Sequence, residues 1–194
     1  LEAGSLPPYL LLSQDEKSLF VLIGTHFIII DVSNPNSPTQ KYKEDYWTNS
    51  NISSMVTSSD GKILCTVTNT SLKIYDLSAK TPILLKSMND QWAGGIALSK
   101  DNTVLAIAIG VDRAIDTRLN LYNFADPRKP TIISSSTPNA QVQSIVFSDD
   151  KKKLFTSARS KDYDNNVILS HRTYDISNLA LLIQTSIREL SKTR

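Results

Sequence analysis

The chain has 194 residues, 40% of them hydrophobic, and a formal charge of +2 from 21 Lys+Arg against 19 Asp+Glu. Charge this balanced argues against nucleic acid or an anionic membrane as a partner, and no apolar run approaches the ~20 residues that span a bilayer. The single cysteine, Cys65, excludes an internal disulfide, and with only His26 and His171 beside it a structural zinc site is not expected. Leu1 in place of Met reads as a processed product or an excerpt of a longer chain.

The first elements are an apolar strand Tyr9 to Leu12, a turn Ser13-Gln14-Asp15, a second strand Leu19 to Ile23 and a third, Phe27 to Val32. The third strand ends at Asp31-Val32 and runs through Ser33-Asn34-Pro35-Asn36-Ser37-Pro38 into a fourth, Thr39 to Lys43. The same order follows three more times, at intervals of about 45 residues. In the second copy Met55 to Thr57, Ser58-Ser59-Asp60, Ile63 to Val67, Leu72 to Leu77 and Ile83 to Lys86 take these places. In the third they are Ile96 to Leu98, Ser99-Lys100-Asp101, Val104 to Ile109, Leu119 to Phe124 and Thr131 to Ser135. In the fourth they are Ile145 to Phe147, Ser148-Asp149-Asp150, Leu154 to Ser157, Ile168 to Ile176 and Leu181 to Ser186, with Ser186 to Lys192 as a strand end or tail. Proline follows the third strand at Pro38, Pro82 and Pro130, whereas the last copy has Leu182 near that place.

Ser and Asp side chains bond back to nearby amides, and Gly61 accepts a positive φ, so each Ser-x-Asp reads as the turn of a hairpin. Four strands in about 45 residues cannot hide their apolar faces alone and must pack on the next copy. The expectation is an all-β fold, a β-propeller of four four-stranded blades at about 9–43, 52–87, 94–136 and 142–188, forming one domain. Four blades fit either a closed ring or an arc of a larger propeller, in which open edges and faces invite pairing.

Phe27-Ile28-Ile29-Ile30-Asp31-Val32-Ser33-Asn34-Pro35-Asn36-Ser37-Pro38 resembles the core of LVIVD repeats. Leu119-Asn120-Leu121-Tyr122-Asn123-Phe124-Ala125-Asp126-Pro127-Arg128-Lys129-Pro130 is a second match, with Asn in place of Asp. More loosely, the units resemble WD40-type and lactonase-type blades. The likeness covers Tyr9 to about Ile187 and implies architecture more than function. It implies an adhesion or interaction module, with an extracellular or periplasmic location.

In a propeller the connectors between blades and the loops joining second to third strands share one face. Those stretches here are 44–51, 89–92 and 137–141, with long inner loops at 111–118 and 160–166. Both tryptophans, Trp47 and Trp92, fall there with Tyr46, Arg113, Arg118 and Tyr163, the residue types that dominate binding hot spots. A binding face is one reading. The other is that each Trp plugs a gap between blades.

Other chemistry finds little support. Asp162-Tyr163-Asp164-Asn165-Asn166 opens like a calcium loop, but Val167 stands where Gly is needed and Thr173 where a bidentate Glu is expected. His26 and His171 lack a visible orienting partner, no nucleophile elbow is present, and Lys151-Lys152-Lys153 reads as a solvated turn. Asn51-Ile52-Ser53 and Asn69-Thr70-Ser71 match the glycan acceptor pattern. The preferred reading is therefore a non-enzymatic scaffold or ligand-sensing domain with a protein or peptide partner, no metal and no cofactor. Further blades, from the same longer chain or from a homodimer, are additional candidate partners. The alternative is a lactonase-like hydrolase with Asp112, Asp116 or Asp162 at a central tunnel mouth.

Overall fold

The computed structural model describes residues 9–13, 15–23, 26–44, 52–68, 70–79, 81–89, 92–110, 117–162 and 164–193. Among these residues there are sixteen strands and no helix. They form four four-stranded antiparallel sheets, each made of consecutive strands. Sheet 1 holds β1 (Tyr9–Leu12), β2 (Ser18–Ile23), β3 (His26–Asp31) and β4 (Thr39–Glu44). Sheet 2 holds β5 (Ile52–Thr57), β6 (Ile63–Thr68), β7 (Ser71–Asp76) and β8 (Ile83–Asn89). Sheet 3 holds β9 (Trp92–Leu98), β10 (Val104–Gly110), β11 (Thr117–Asn123) and β12 (Thr131–Ser136). Sheet 4 holds β13 (Gln141–Phe147), β14 (Lys153–Lys161), β15 (Val167–Asp175) and β16 (Ile183–Thr193). The fold is the four-bladed all-β architecture of propeller type that the repeat implies. The stretch expected to be a strand end or tail continues β16 to Thr193.

The turns repeat to within a few tenths of an ångström. The Ser hydroxyl donates to the Asp carboxylate at 2.6 Å in all four copies, Ser13–Asp15, Ser58–Asp60, Ser99–Asp101 and Ser148–Asp150. The same hydroxyl oxygen accepts the amide five residues on at 2.9 Å, and the carboxylate accepts the amide two residues beyond it at 3.1–3.2 Å. The residue after the Asp is left-handed in each copy: Glu16 at φ 57°, Gly61 at 68°, Asn102 at 58° and Lys151 at 55°. Glycine is thus used once, and the other copies hold an L-residue in αL, where side chains crowd the backbone. The Asp or Asn ending each third strand turns the chain in the same way. Asp31, Asp76, Asn123 and Asp175 accept the amide two residues on at 2.8–3.1 Å.

The chain divides into two compact units, Leu1–Met88 and Asn89–Arg194. In the first, Phe20, Leu22, Phe27 and Ile29 of sheet 1 meet Ile52, Leu64 and Tyr75 of sheet 2 in one buried cluster. Strand alternation puts these residues on one face of each sheet. Phe20 and Phe27 stack at 6.4 Å, and Tyr42 tilts against Phe27. The other face of sheet 1 carries Leu10 and Leu12, which are 63% and 48% exposed.

In the second unit, Ala97, Val104, Ala106, Ala108, Leu119 and Leu121 of sheet 3 pack with Val142, Ile145, Leu154, Ala158 and Tyr174 of sheet 4. The small residues of sheet 3 let the sheets approach closely. A Cβ on Gly95 would lie 3.0 Å from Ile145 Cγ1 and 3.4 Å from Val142 Cγ1. The first unit has Phe20 and Leu22 at the places of Ala106 and Ala108, and Phe27 at that of Leu119.

Candidate functional site

Of the six residues expected on the loop face, Tyr46, Trp47, Arg113 and Tyr163 lie outside the described residues, as do Asp112, Asp116, Asn51 and Asn69. Trp92 opens β9 opposite Ile109, and its side chain is also outside the described set. Arg118 is described. It is exposed near the start of β11, beside the buried Thr117.

Around Arg118 the connector between sheets 3 and 4 is tightly held. Thr117 Oγ1 donates to the Ala140 carbonyl at 2.7 Å and accepts the Val142 amide at 3.3 Å. From β15, Arg172 Nη1 donates to the Pro138 carbonyl and, at 3.4 Å, to Gln184 Oε1. Arg172 is only 6% exposed, and among the described residues no carboxylate lies within ion-pair distance of it. A buried guanidinium is tolerated when its donors are matched with acceptors. Its role was missed in the sequence. The only signal was an Arg sharing the inward register of Ser170 and Tyr174 in an alternating strand. Asn139, left-handed at φ 52°, gives this connector its sharp bend. In the loop between β14 and β15, Asp162 Oδ1 accepts the amides of Asp164 and Asn166 at 2.9 Å, so this carboxylate helps to close the turn.

At the other end of the sheets the repeated carboxylates are held ionised. The Ser13, Ser58 and Ser148 hydroxyls hold Asp15, Asp60 and Asp150 below the usual carboxylate range, and Ser177 does the same for Asp175. Ser33 takes Asp31 down to about 2. Burial pushes Asp101 up, but the donors Lys151, Ser99 and Thr103 outweigh it and leave it well below the usual range. Lys151 reaches Asp101 and Thr103 from sheet 4, tying its turn to that of sheet 3. Such carboxylates are acceptors built into turns and have no proton to give near neutral pH. Among the described residues no cluster of three or more His, Cys, Asp or Glu could hold a metal.

The same end of the first unit has an open cleft of about 360 Å³. Phe20, Ile29, Lys41 and Tyr42 line it from sheet 1, and Gly61, Leu77 and Ala79 from the turns of sheet 2. Lys41 Nζ pairs with Asp31 at 3.1 Å. No spacing rule in the sequence marks this cleft.

The comparisons bear on fold and family. No curated protein matches the sequence. Among solved structures, the chain is similar to a 6-phosphogluconolactonase-like protein of Bacteroides fragilis. That likeness has 13% identity and a TM-score of 0.68, covering 99% of this chain and 60% of that one. It is also similar to hydrazine synthase of Kuenenia stuttgartiensis, at 17% identity and a TM-score of 0.72, covering 98% of this chain and 51% of that one. A third likeness is to a chain of the mitotic checkpoint complex, at 15% identity and a TM-score of 0.63, covering 100% and 68%. At these identities the likeness is one of fold. The chain spans between 51% and 60% of the length of the first structures it matches. The matching family model is not an LVIVD-repeat one: it covers residues 11–187, and the chain belongs to the family of the domain of unknown function DUF7165.

Proposed function

We propose that this chain is a non-enzymatic propeller module that binds a protein or peptide through the face of connectors and inner loops. The observation that carries this reading is the braced connector 137–140. Thr117 and Arg172 fix it beside the exposed Arg118, so little loop ordering remains to oppose binding. On the propeller reading of the sequence, Tyr46, Trp47, Trp92, Arg113 and Tyr163 are expected in loops of this kind. A likeness to a chain of the mitotic checkpoint complex, an assembly of proteins, supports a protein partner. The exposed Leu10 and Leu12 on sheet 1 support a further blade as a second partner.

The test is partner capture followed by titration against Trp47→Ala, Arg113→Ala and Arg118→Ala variants. A hot spot of about 2 kcal/mol weakens binding roughly 30-fold. Unchanged affinity in all three variants, with the β-sheet circular dichroism intact, overturns the reading.

A further inference from the structure

We propose that the outer face of sheet 4 is a docking surface for an acidic polypeptide segment with an apolar anchor. Leu154, Ala158 and Tyr174 belong to the core cluster shared with sheet 3. Strand alternation therefore turns Lys153, Phe155, Arg159 and Lys161 of β14 to the opposite face. The register sets Val146 beside Phe155, and His171 and Arg188 in the row between Phe155 and Arg159.

This face differs from those on which sheets 3 and 4 meet, where Leu119, Leu121, Val142 and Ile145 make an apolar contact. It carries four cations, Lys153, Arg159, Lys161 and Arg188, against one carboxylate, Asp175. That excess is larger than the +2 of the whole chain. Asp175 accepts the Ser177 amide and hydroxyl and so is engaged in its own turn. Glu189 pairs with Ser170 and belongs to the opposite face. Arg159, Lys161, His171 and Arg188 are exposed, and among the described residues none of the four has an ion-pair partner. Burying such cations against another apolar sheet is costly, so the partner that suits this face brings negative charge with it.

The pattern along β14 selects the guest. Val146 and Phe155, directly paired and 59% and 43% exposed, form an apolar seat. Val146 offers no ring to stack on, so the seat suits an aliphatic side chain better than a nucleic-acid base. Outward residues of a strand recur every second position, about 6.6 Å apart, and an extended guest lying along β14 has the same period. With an aliphatic side chain over Phe155, the guest residues four and six positions on stand over Arg159 and Lys161. The fitting sequence is apolar-x-x-x-acid-x-acid. The Arg159 guanidinium can take a carboxylate as a bidentate pair, and Arg188 adds to the positive field. The surface is made of strand residues and not of connectors, so this inference does not rest on the loop-face reading.

The probe is the fluorescently labelled peptide Gly-Ser-Leu-Ser-Gly-Ser-Glu-Ser-Glu-Ser-Gly, titrated with the intact protein. Saturable binding is expected below about 1 mM, weakening as salt is raised from about 50 to about 500 mM. Binding should be lost when both glutamates of the peptide are changed to Gln. Arg159→Glu and Lys161→Glu should each weaken it roughly tenfold or more with the circular dichroism unchanged. Lys129→Glu makes the same charge change at an exposed position between β11 and β12 and should leave the affinity as it was, as should Trp47→Ala. Absence of saturable binding, or equal affinity of the Arg159→Glu variant and the native protein, overturns the proposal. Equal or tighter binding of a single-stranded DNA oligonucleotide overturns it as well, because the face would then select charge alone.

Discussion

The two turns of the second unit offer a controlled deletion. Ser99 and Ser148 make the same pair of bonds, donating at 2.6 Å to an Asp and accepting an amide at 2.9 Å. Their surroundings differ: Ser99 is 1% exposed and its amide donor, Val104, also 1%, while Ser148 is half-buried and its donor, Lys153, is exposed. In Ser99→Ala the Val104 N–H loses its acceptor where water cannot replace it, a penalty of about 1–3 kcal/mol. In Ser148→Ala water takes over, and the cost is the net value of a hydrogen bond, about 0.5–1.5 kcal/mol. The readout is the urea midpoint at constant m-value, which isolates stability from changes in the unfolded ensemble. Both residues lie in one compact unit, so both report on the same transition. The expected result is a Ser99→Ala loss exceeding that of Ser148→Ala by about 1 kcal/mol or more. Equal losses would refute the claim that burial, rather than geometry, sets the value of these turns.

Acid should destabilise the protein through its turns. Their carboxylates have folded pKa values below the unfolded value of about 3.9, so the stability they add is present above that value. It is lost as pH falls through the folded values, about 2 for Asp31. Urea midpoints should hold level above about pH 5 and decline between about pH 4 and 2, and a level profile across that window would contradict the assignment. Cys65 is fully buried, and burial pushes its thiol far above the usual range. A disulfide reagent should therefore modify it only at the rate of unfolding, and rapid labelling of the native protein would show the site to be open. Gly95→Val would force side-chain carbon into contact with Ile145 and should cost about 1–3 kcal/mol in denaturant melts. No loss there would mean the two sheets are less closely apposed.

Much of the architecture is legible because it is written locally. Each Ser-x-Asp needs only residues within five positions to close its hairpin, and strand alternation assigns the faces of Phe20, Leu22, Phe27 and Ile29. The four copies also corroborate one another. What the sequence could not yield depends on contacts between sheets. Lys151, read as part of a solvated charge cluster, crosses to Asp101 from a turn 50 residues away. Arg172 was invisible as a clamp because Pro138, its acceptor, is a backbone carbonyl, and carbonyls carry no sequence signature. The cleft beside Ala79 is lined from two sheets, and no local pattern in the sequence brings Phe20, Ile29 and Leu77 together. Of the predicted loop face, Arg118 alone has a described side chain, and its neighbour Thr117 proved to be the structural member of the pair.

The near-identity of the four turns has an implication for assembly in the cell. Hairpins that close with the same 2.6 Å contact are interchangeable as folding seeds, so nothing in them tells one module which neighbour to choose. That choice falls to shape, such as the notch at Gly95 that admits Ile145. Errors during synthesis should therefore take the form of modules exchanged between two nascent molecules, the characteristic misassembly of repetitive chains. Dissimilar side chains at the sheet contacts, aromatic in one unit and alanine-rich in the other, are the protection against it.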